Sequence, residues 1–232
     1  KFSNFLIKLR KALRGLTASS SSATCPKTLG LRIPGWRLDL AQLYEIGVLN
    51  QGVDYVTMES YQTAGAESST AKPLSPLYSS TSTDHSISST LKEWVRQKLH
   101  GRKIVIVLPA FAIAHQLSNA DFNRIGSPVS SAGLGDDKRF TRTQEELCQI
   151  TDADKFMREL SFEQVAAFAR AKNGAWLSYE TRQTIKYKSN YARKLQLGGV
   201  GLLSLNDDDF SNSCRMGAFP LLSAIANTAQ CN

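Results

Sequence analysis

No apolar run in this sequence approaches the roughly 18 residues that cross a bilayer, so it offers no candidate membrane span. There is no C-x-x-C pair. Cys25, Cys148, Cys214 and Cys231 stand far from one another and from His85, His100 and His115, so zinc-type ligand spacing is absent. Disulfides in an oxidising compartment suit these dispersed cysteines better than a metal. No N-x-S/T sequon occurs, which removes N-glycosylation as an argument for secretion. The histidines accompany no serine or cysteine nucleophile motif, and surface positions are expected for them. Asp207-Asp208-Asp209 lacks the glycine and the downstream glutamate of an EF-hand loop, and reads as a solvated strand-end turn with aspartate capping. No metal and no other cofactor is therefore expected. The chain opens at Lys1 inside a helical pattern, so the lack of a leader says nothing about secretion.

What is present is an ordinary globular composition: 42% hydrophobic and 21% charged over 232 residues, room for one domain of barrel size. The net charge of +8 invites a nucleic-acid reading. Its distribution argues otherwise. The basic residues gather in small groups at Lys8–Arg14, Arg96–Lys103 and Arg182–Lys194, each on an amphipathic helical pattern, which reads as solvated outer helix faces. No nucleic-acid or membrane partner is expected.

Phe2, Phe5, Leu6, Leu9, Leu13 and Leu16 form the stripe of an amphipathic helix, followed by a polar loop from Thr17 to Thr24. Helical patterns recur at Leu38–Leu49, Ser88–Leu99, Arg182–Leu195 and Leu221–Asn227. Apolar runs at Leu29–Ile33, Val53–Tyr61, Ile104–Leu108 and Val200–Leu205 read as strands between them. Continuous apolar strands alternating with helices belong to a parallel sheet covered by helices. From Ile113 to about Ser178 the periodicity breaks down into loops, a short helix at Gln144–Ile150 and mixed segments. No internal repeat is visible.

Seven segments, spread along the chain, resemble stretches of one known family. Gly198–Phe210, followed by Cys214 and Phe219-Pro220-Leu221-Leu222, is similar to the last barrel strand and closing helix, where the family reads roughly G-G-x-M-x-W-x-L-D-x-D-D-F, Cys and Y-P-L-L. Asp54–Gln62 resembles the sixth strand ending M-A-Y-D, and Ser75-Pro76-Leu77-Tyr78 the S-P-L-Y after it. Lys103–Ala112 resembles the seventh strand. Gly126-Ser127-Pro128, Phe140-Thr141 and Glu146-Leu147-Cys148 match points in the inserted subdomain. These segments resemble glycoside hydrolase family 18, the chitinases and chitinase-like proteins, and the resemblance covers essentially the whole chain.

It implies an α/β fold: a partial (β/α)8 TIM barrel, strands five to eight, with an α+β insertion subdomain. Residues 1–112 and 179–232 would be the C-terminal half of the barrel and 113–178 the insertion. Four strands would leave the fifth and eighth with open edges, so this segment alone should aggregate or need its missing N-terminal half. The family's D-x-x-D-x-D-x-E run, whose glutamate is the general acid, does not occur here. Hydrolysis in the family is substrate-assisted, with the acid protonating the glycosidic oxygen while the N-acetyl carbonyl attacks the anomeric carbon. No catalytic residue is therefore expected in this segment.

Position by position, the resemblance also marks a degraded site. Tyr61 stands where the family's tyrosine hydrogen-bonds an N-acetyl carbonyl. Gln62 replaces the aspartate that orients the N-acetyl group. Phe111 replaces a tyrosine, Ile113 an arginine, and Leu203 the tryptophan under the sugar. Arg32 replaces a small lumen-facing residue and Glu59 an inward methionine, so the two are predicted to pair inside the lumen and occupy part of the sugar site. Trp176 matches a family tryptophan in the insertion, with two readings open: it lines a sugar cleft, or it packs inside the subdomain. Cys148 and Cys214 match positions that pair in the family. The implied protein is extracellular and chitinase-like, with chitin or a chito-oligosaccharide as its partner and no hydrolytic activity. The alternatives are a divergent active chitinase whose acid lies in the missing half, or a signalling or structural protein with no sugar site.

Overall fold

The computed structural model describes residues 1–18, 27–36, 42–61, 68–81, 85–134, 136–153 and 155–228. Two sheets organise it. The first is parallel, in the order β1 (Gly30–Pro34), β2 (Tyr55–Glu59), β3 (Ile104–Pro109) and β10 (Gly199–Leu203). Alternate residues of these strands face opposite sides. Ile33, Val56, Met58, Ile104, Ile106 and Leu108 are fully buried on one side, under Leu6 of α1 (Phe2–Ala18), Leu49 of α2 (Ile46–Gly52), Leu91 and Trp94 of α3 (Ile87–Arg96) and Ile185 of α5 (Arg182–Lys194). Each large apolar side chain so buried contributes roughly 1.5–3 kcal/mol. Arg32, Thr57, Glu59, Val105, Val107 and Leu203 occupy the opposite side and are less enclosed. The apolar runs of the sequence are thus buried on one side and only half-covered on the other.

The second sheet is antiparallel, in the order β5 (Val129–Ala132), β4 (Ala112–Leu117), β9 (Ala175–Tyr179), β8 (Ala166–Arg170) and β7 (Met157–Ser161), with the short β6 (Thr141–Arg142) pairing β4. Both faces of its centre are covered. Small residues such as Ala112, Ala114, Ala167 and Ala169 pack against Leu147 of α4 (Gln144–Ala153) on one side, and Phe168, Trp176 and Leu117 meet Ala71 on the other. Every residue of β9 is buried. A strand buried on both faces shows no polar–apolar alternation, which is why the sequence period fails between 113 and 178.

Boundaries moved where capping decides them. Ser86 and Ser89 form a capping box that starts α3, and Thr181 and Thr184 form one that starts α5. The helix expected over Leu38–Leu49 is α2, beginning at Ile46 after extended Glu45; Leu43 is 75% exposed and outside it, and residues 37–41 lie outside the described residues. Cys25, Cys231 and Gln62, and most of the expected loop 17–24, also fall outside them. None of the described helices is long and apolar enough to cross a membrane.

Further expectations fail for physical reasons. His115 is fully buried, not at the surface, because β4 lies in the middle of the antiparallel sheet. Lys188, expected on a solvated helix face, is sealed inside because it shares the inward stripe of α5 with Thr184, Ile185 and Ala192. Asp208 and Asp209 do cap backbone groups but are buried, not solvated. Asp208 accepts from the amides of Leu221 and Leu222 at the start of α6 (Pro220–Ala226), and Asp209 from Ser213 and Cys214.

Candidate functional site

The site-bearing residues sit on the less covered face and at the C-terminal ends of the parallel strands, where βα-barrel enzymes place their chemistry. In the β1–β2 register Arg32 lies opposite Thr57 and Pro34 opposite Glu59, so Arg32 and Glu59 are diagonal neighbours on one face. Arg32 Nε donates to Glu59 Oε1 at 2.6 Å, and its Nη2 donates to the same oxygen. The predicted ion pair is present. The glutamate side chain is 12% exposed and the arginine 67%, so the arginine is not enclosed by this chain.

Tyr61 Oη donates to the same Glu59 oxygen at 2.8 Å. Burial, then this hydrogen bond and the glutamate charge, push the Tyr61 phenol up to about 12 against the opposing pull of Arg32. The hydroxyl therefore stays protonated and is already committed to a carboxylate. Gly35 fixes the crossing of the chain here. Its amide donates to the Glu59 carbonyl at 3.0 Å, and a Cβ on it would fall 2.3 Å from that oxygen, so only glycine fits.

An apolar cluster fills the neighbouring strand ends. Tyr61, Leu74 and Ile113 form its buried part, with Val107, Phe111, Phe140 and Leu203 packed against them. The Tyr61 and Phe111 rings meet edge to face with centroids 5.5 Å apart. The structure thus brings together Arg32, Glu59, Tyr61, Phe111, Ile113 and Leu203. A cavity of about 20 Å³ lies against Glu59 and Tyr61, bordered by Gly35, Leu74 and Thr90. That is space for a water, not for a sugar ring.

Trp176 does not join this site. It has no exposed surface, its ring stacks on Phe168 at 5.9 Å, and it packs beside His115. Of the two readings open to it, packing inside the subdomain is the one its burial supports, and the sugar-cleft reading is corrected: on a strand covered on both faces, it belongs to the core. Cys148 and Cys214 are disulfide-bonded, joining α4 to the loop after β10 across a sequence separation of 66. Among the described residues no cluster of three or more metal-ligand side chains occurs.

Sequence reasoning missed the groups behind the site. Lys188 of α5 donates to the Ser75 carbonyl at 2.5 Å, and the Ser75 hydroxyl donates to the Ser60 carbonyl at 2.5 Å. Gln144 Nε2 donates to the Ala110 carbonyl at 2.8 Å, beyond the end of β3. The four-residue spacing of Thr184, Lys188 and Ala192 was the available signal, since it places the lysine on the apolar stripe.

With this geometry in place, the comparisons with known proteins bear on the class. The family model described as glycosyl hydrolases family 18 matches residues 1–208, and the chain belongs to that family. It is similar to Probable chitinase 10 of Drosophila melanogaster, 26% identical over 94% of this chain and 10% of that protein. It is also similar to human Chitinase-3-like protein 2, 25% identical over 78% of this chain and 48% of that protein. A solved family GH18 chitinase from Cycas revoluta in complex with (GlcNAc)3 shares the fold, with a TM-score of 0.83 and 20% identity over 99% of this chain and 63% of that one. The chain spans about half or less of the length of these curated relatives.

Proposed function

We propose that this chain is the C-terminal portion of a chitinase-like protein that engages chitin or N-acetylglucosamine oligomers without hydrolysing them. In this reading residues 1–112 and 179–232 supply strands five to eight of a (β/α)8 barrel. Residues 113–178 form the inserted subdomain, a division that agrees to within a residue with an antiparallel sheet running from Ala112 to Tyr179. The open edges of β1 and β10 pair with strands of the other half.

The observation that carries the reading is the single oxygen of Glu59 taken by both Arg32 and Tyr61. A tyrosine hydroxyl already donating to a carboxylate must break that bond to meet an N-acetyl carbonyl. Phe111, Ile113 and Leu203 add no polar group to hold a sugar and no tryptophan face beneath it. Gln62 brings no charge to a developing oxazolinium. General acid catalysis is worth about 10²–10⁴-fold, and no residue of this segment takes that role. The Cys148–Cys214 bridge supports an extracellular or otherwise oxidising location.

The test is to incubate the full-length protein with a fluorogenic chitotrioside and to titrate it with (GlcNAc)4 by calorimetry. The expected result is no turnover and saturable, weak binding. Turnover would instead support a divergent active chitinase with its acid outside this segment, and absent binding a scaffold with no sugar site.

A further inference from the structure

A second cleft lies apart from the face that carries Arg32, Glu59 and Tyr61. It holds about 390 Å³, inside the roughly 300–1,000 Å³ usual for small-molecule pockets. Its walls come from α4, β7, β8, the end of β9, and the first turns of α5 and α6. Leu147, Leu160, Met216 and Leu221 give it an apolar body, and disulfide-bonded Cys148 forms part of the wall.

Hydrogen-bond donors line the same space. Tyr179 is 8% exposed, and its hydroxyl has no hydrogen-bond partner among the described residues. Burial raises the pKa of this phenol against the opposing pull of Arg158, so it remains a donor. Arg182 and Gln183 open α5. The capping box satisfies the Thr184 amide with Thr181 Oγ1 at 3.1 Å, while the amides of Arg182 and Gln183 find no acceptor among the described residues. These are the orphan donors at the positive end of a helix dipole.

The charges lining the cleft are unequal. Glu180 is held by Lys188 and Thr184, and Glu159 by Arg170 at 2.5 Å. Arg158 is fixed at the wall, its Nη2 donating to Thr151 Oγ1 and Asp152 Oδ1, both at 2.6 Å. The Arg182 guanidinium makes no ion pair among the described residues. The lining carboxylates are thus neutralised while cationic and N–H groups remain available, a balance that selects an anion.

We propose that this cleft binds a small amphipathic carboxylate, an aromatic or short aliphatic acid. Its apolar part lies against Leu147, Leu160 and Leu221, and its carboxylate accepts from Tyr179 Oη, the first amides of α5 and Arg182. The site is separate from the face on which the proposed sugar reading rests and does not depend on it.

The experiment titrates the full-length protein with 4-phenylbutyrate by calorimetry, with neutral 4-phenyl-1-butanol as the comparison. The acid should saturate and bind about tenfold or more tightly than the alcohol, the difference one charge-assisted contact provides. Tyr179→Phe should weaken the acid by about tenfold with an unchanged melting temperature, and Arg182→Gln should weaken it and flatten its salt dependence. Equal binding of acid and alcohol, no saturation by the acid, or a Tyr179→Phe variant with undiminished affinity would each overturn the proposal. Arg182→Gln leaves the packing of β9 untouched and reads the same interaction should Tyr179→Phe disturb the sheet.

Discussion

Lys188 and Glu180 form an ion pair inside the protein, with side chains 1% and 2% exposed. Both carboxylate oxygens are engaged, one by the lysine and the other by Thr184 Oγ1 at 2.5 Å. Through Ser75 the lysine also holds the segment hydrogen-bonded to Ser60, one residue before Tyr61. Burial drives the Lys188 pKa down while Glu180 pulls it back up. The pair is therefore a pin between α5, β9 and the end of β2.

Lys188→Met should destabilise the protein by about 3–5 kcal/mol, because it strands the Glu180 charge in the interior. Adding Glu180→Leu should recover most of that loss, since an apolar pair of similar volume is close to neutral. Equilibrium urea unfolding of the single and double variants checks both. A double variant no more stable than the single one would rule out a stranded charge as the cause.

His115 sets an acid limit on stability. Burial lowers its pKa from 6.5 to about 4, and neither ring nitrogen has a partner among the described residues. The unfolded chain then binds a proton between pH 6.5 and 4 that the folded protein refuses. The neutral histidine is fully accommodated above pH 6.5, and stability falls as the pH drops toward 4, by up to about 3 kcal/mol. His115→Leu should remove this part of the slope, measured as the difference in melting temperature between pH 7 and pH 4.5. A slope unchanged in the variant would assign it to other groups.

The Cys148–Cys214 bridge ties α4 to the loop after β10. Replacing both cysteines by serine should cost about 2–4 kcal/mol, chiefly by freeing the unfolded chain. Hydrogen exchange should show a similar loss of protection in the slowest amides of both sheets, which exchange by global unfolding. A loss confined to α4 and residues 211–217 would assign the effect to a local tether instead.

Tyr61 should titrate late. Its folded value of about 12 exceeds the ordinary 10.0, so the stability it contributes is complete below pH 10 and is lost as the pH rises through 12. Subtracting the Tyr61→Phe absorbance titration from that of the unaltered protein isolates its midpoint. Glu59→Gln should lower that midpoint only part of the way to 10.0, because burial, the largest cause, remains. A midpoint near 10 in the unaltered protein would mean that neither the burial of Tyr61 nor its Glu59 contact is maintained.

The parallel layer was legible because its strands are apolar runs with helical stripes between them; the run at 104–108 falls within β3, and the run at 200–205 overlaps β10, which ends at Leu203. The Arg32–Glu59 pair was legible too, since opposite charges at neighbouring inward positions need each other. The antiparallel sheet was not. Its centre is alanine-rich and covered on both faces, leaving no period to read.

By itself, the sequence determined the alternation of helices and strands in the parallel layer and, through its resemblance to known motifs, the family. Local periodicity is enough for the first. Tertiary structure decided that Trp176 and His115 are core, that Lys188 is an internal cation, and that one oxygen of Glu59 receives both Arg32 and Tyr61. Burial and pairing depend on which segments cover a side chain, and those segments are distant in sequence: 113 residues separate Lys188 from Ser75.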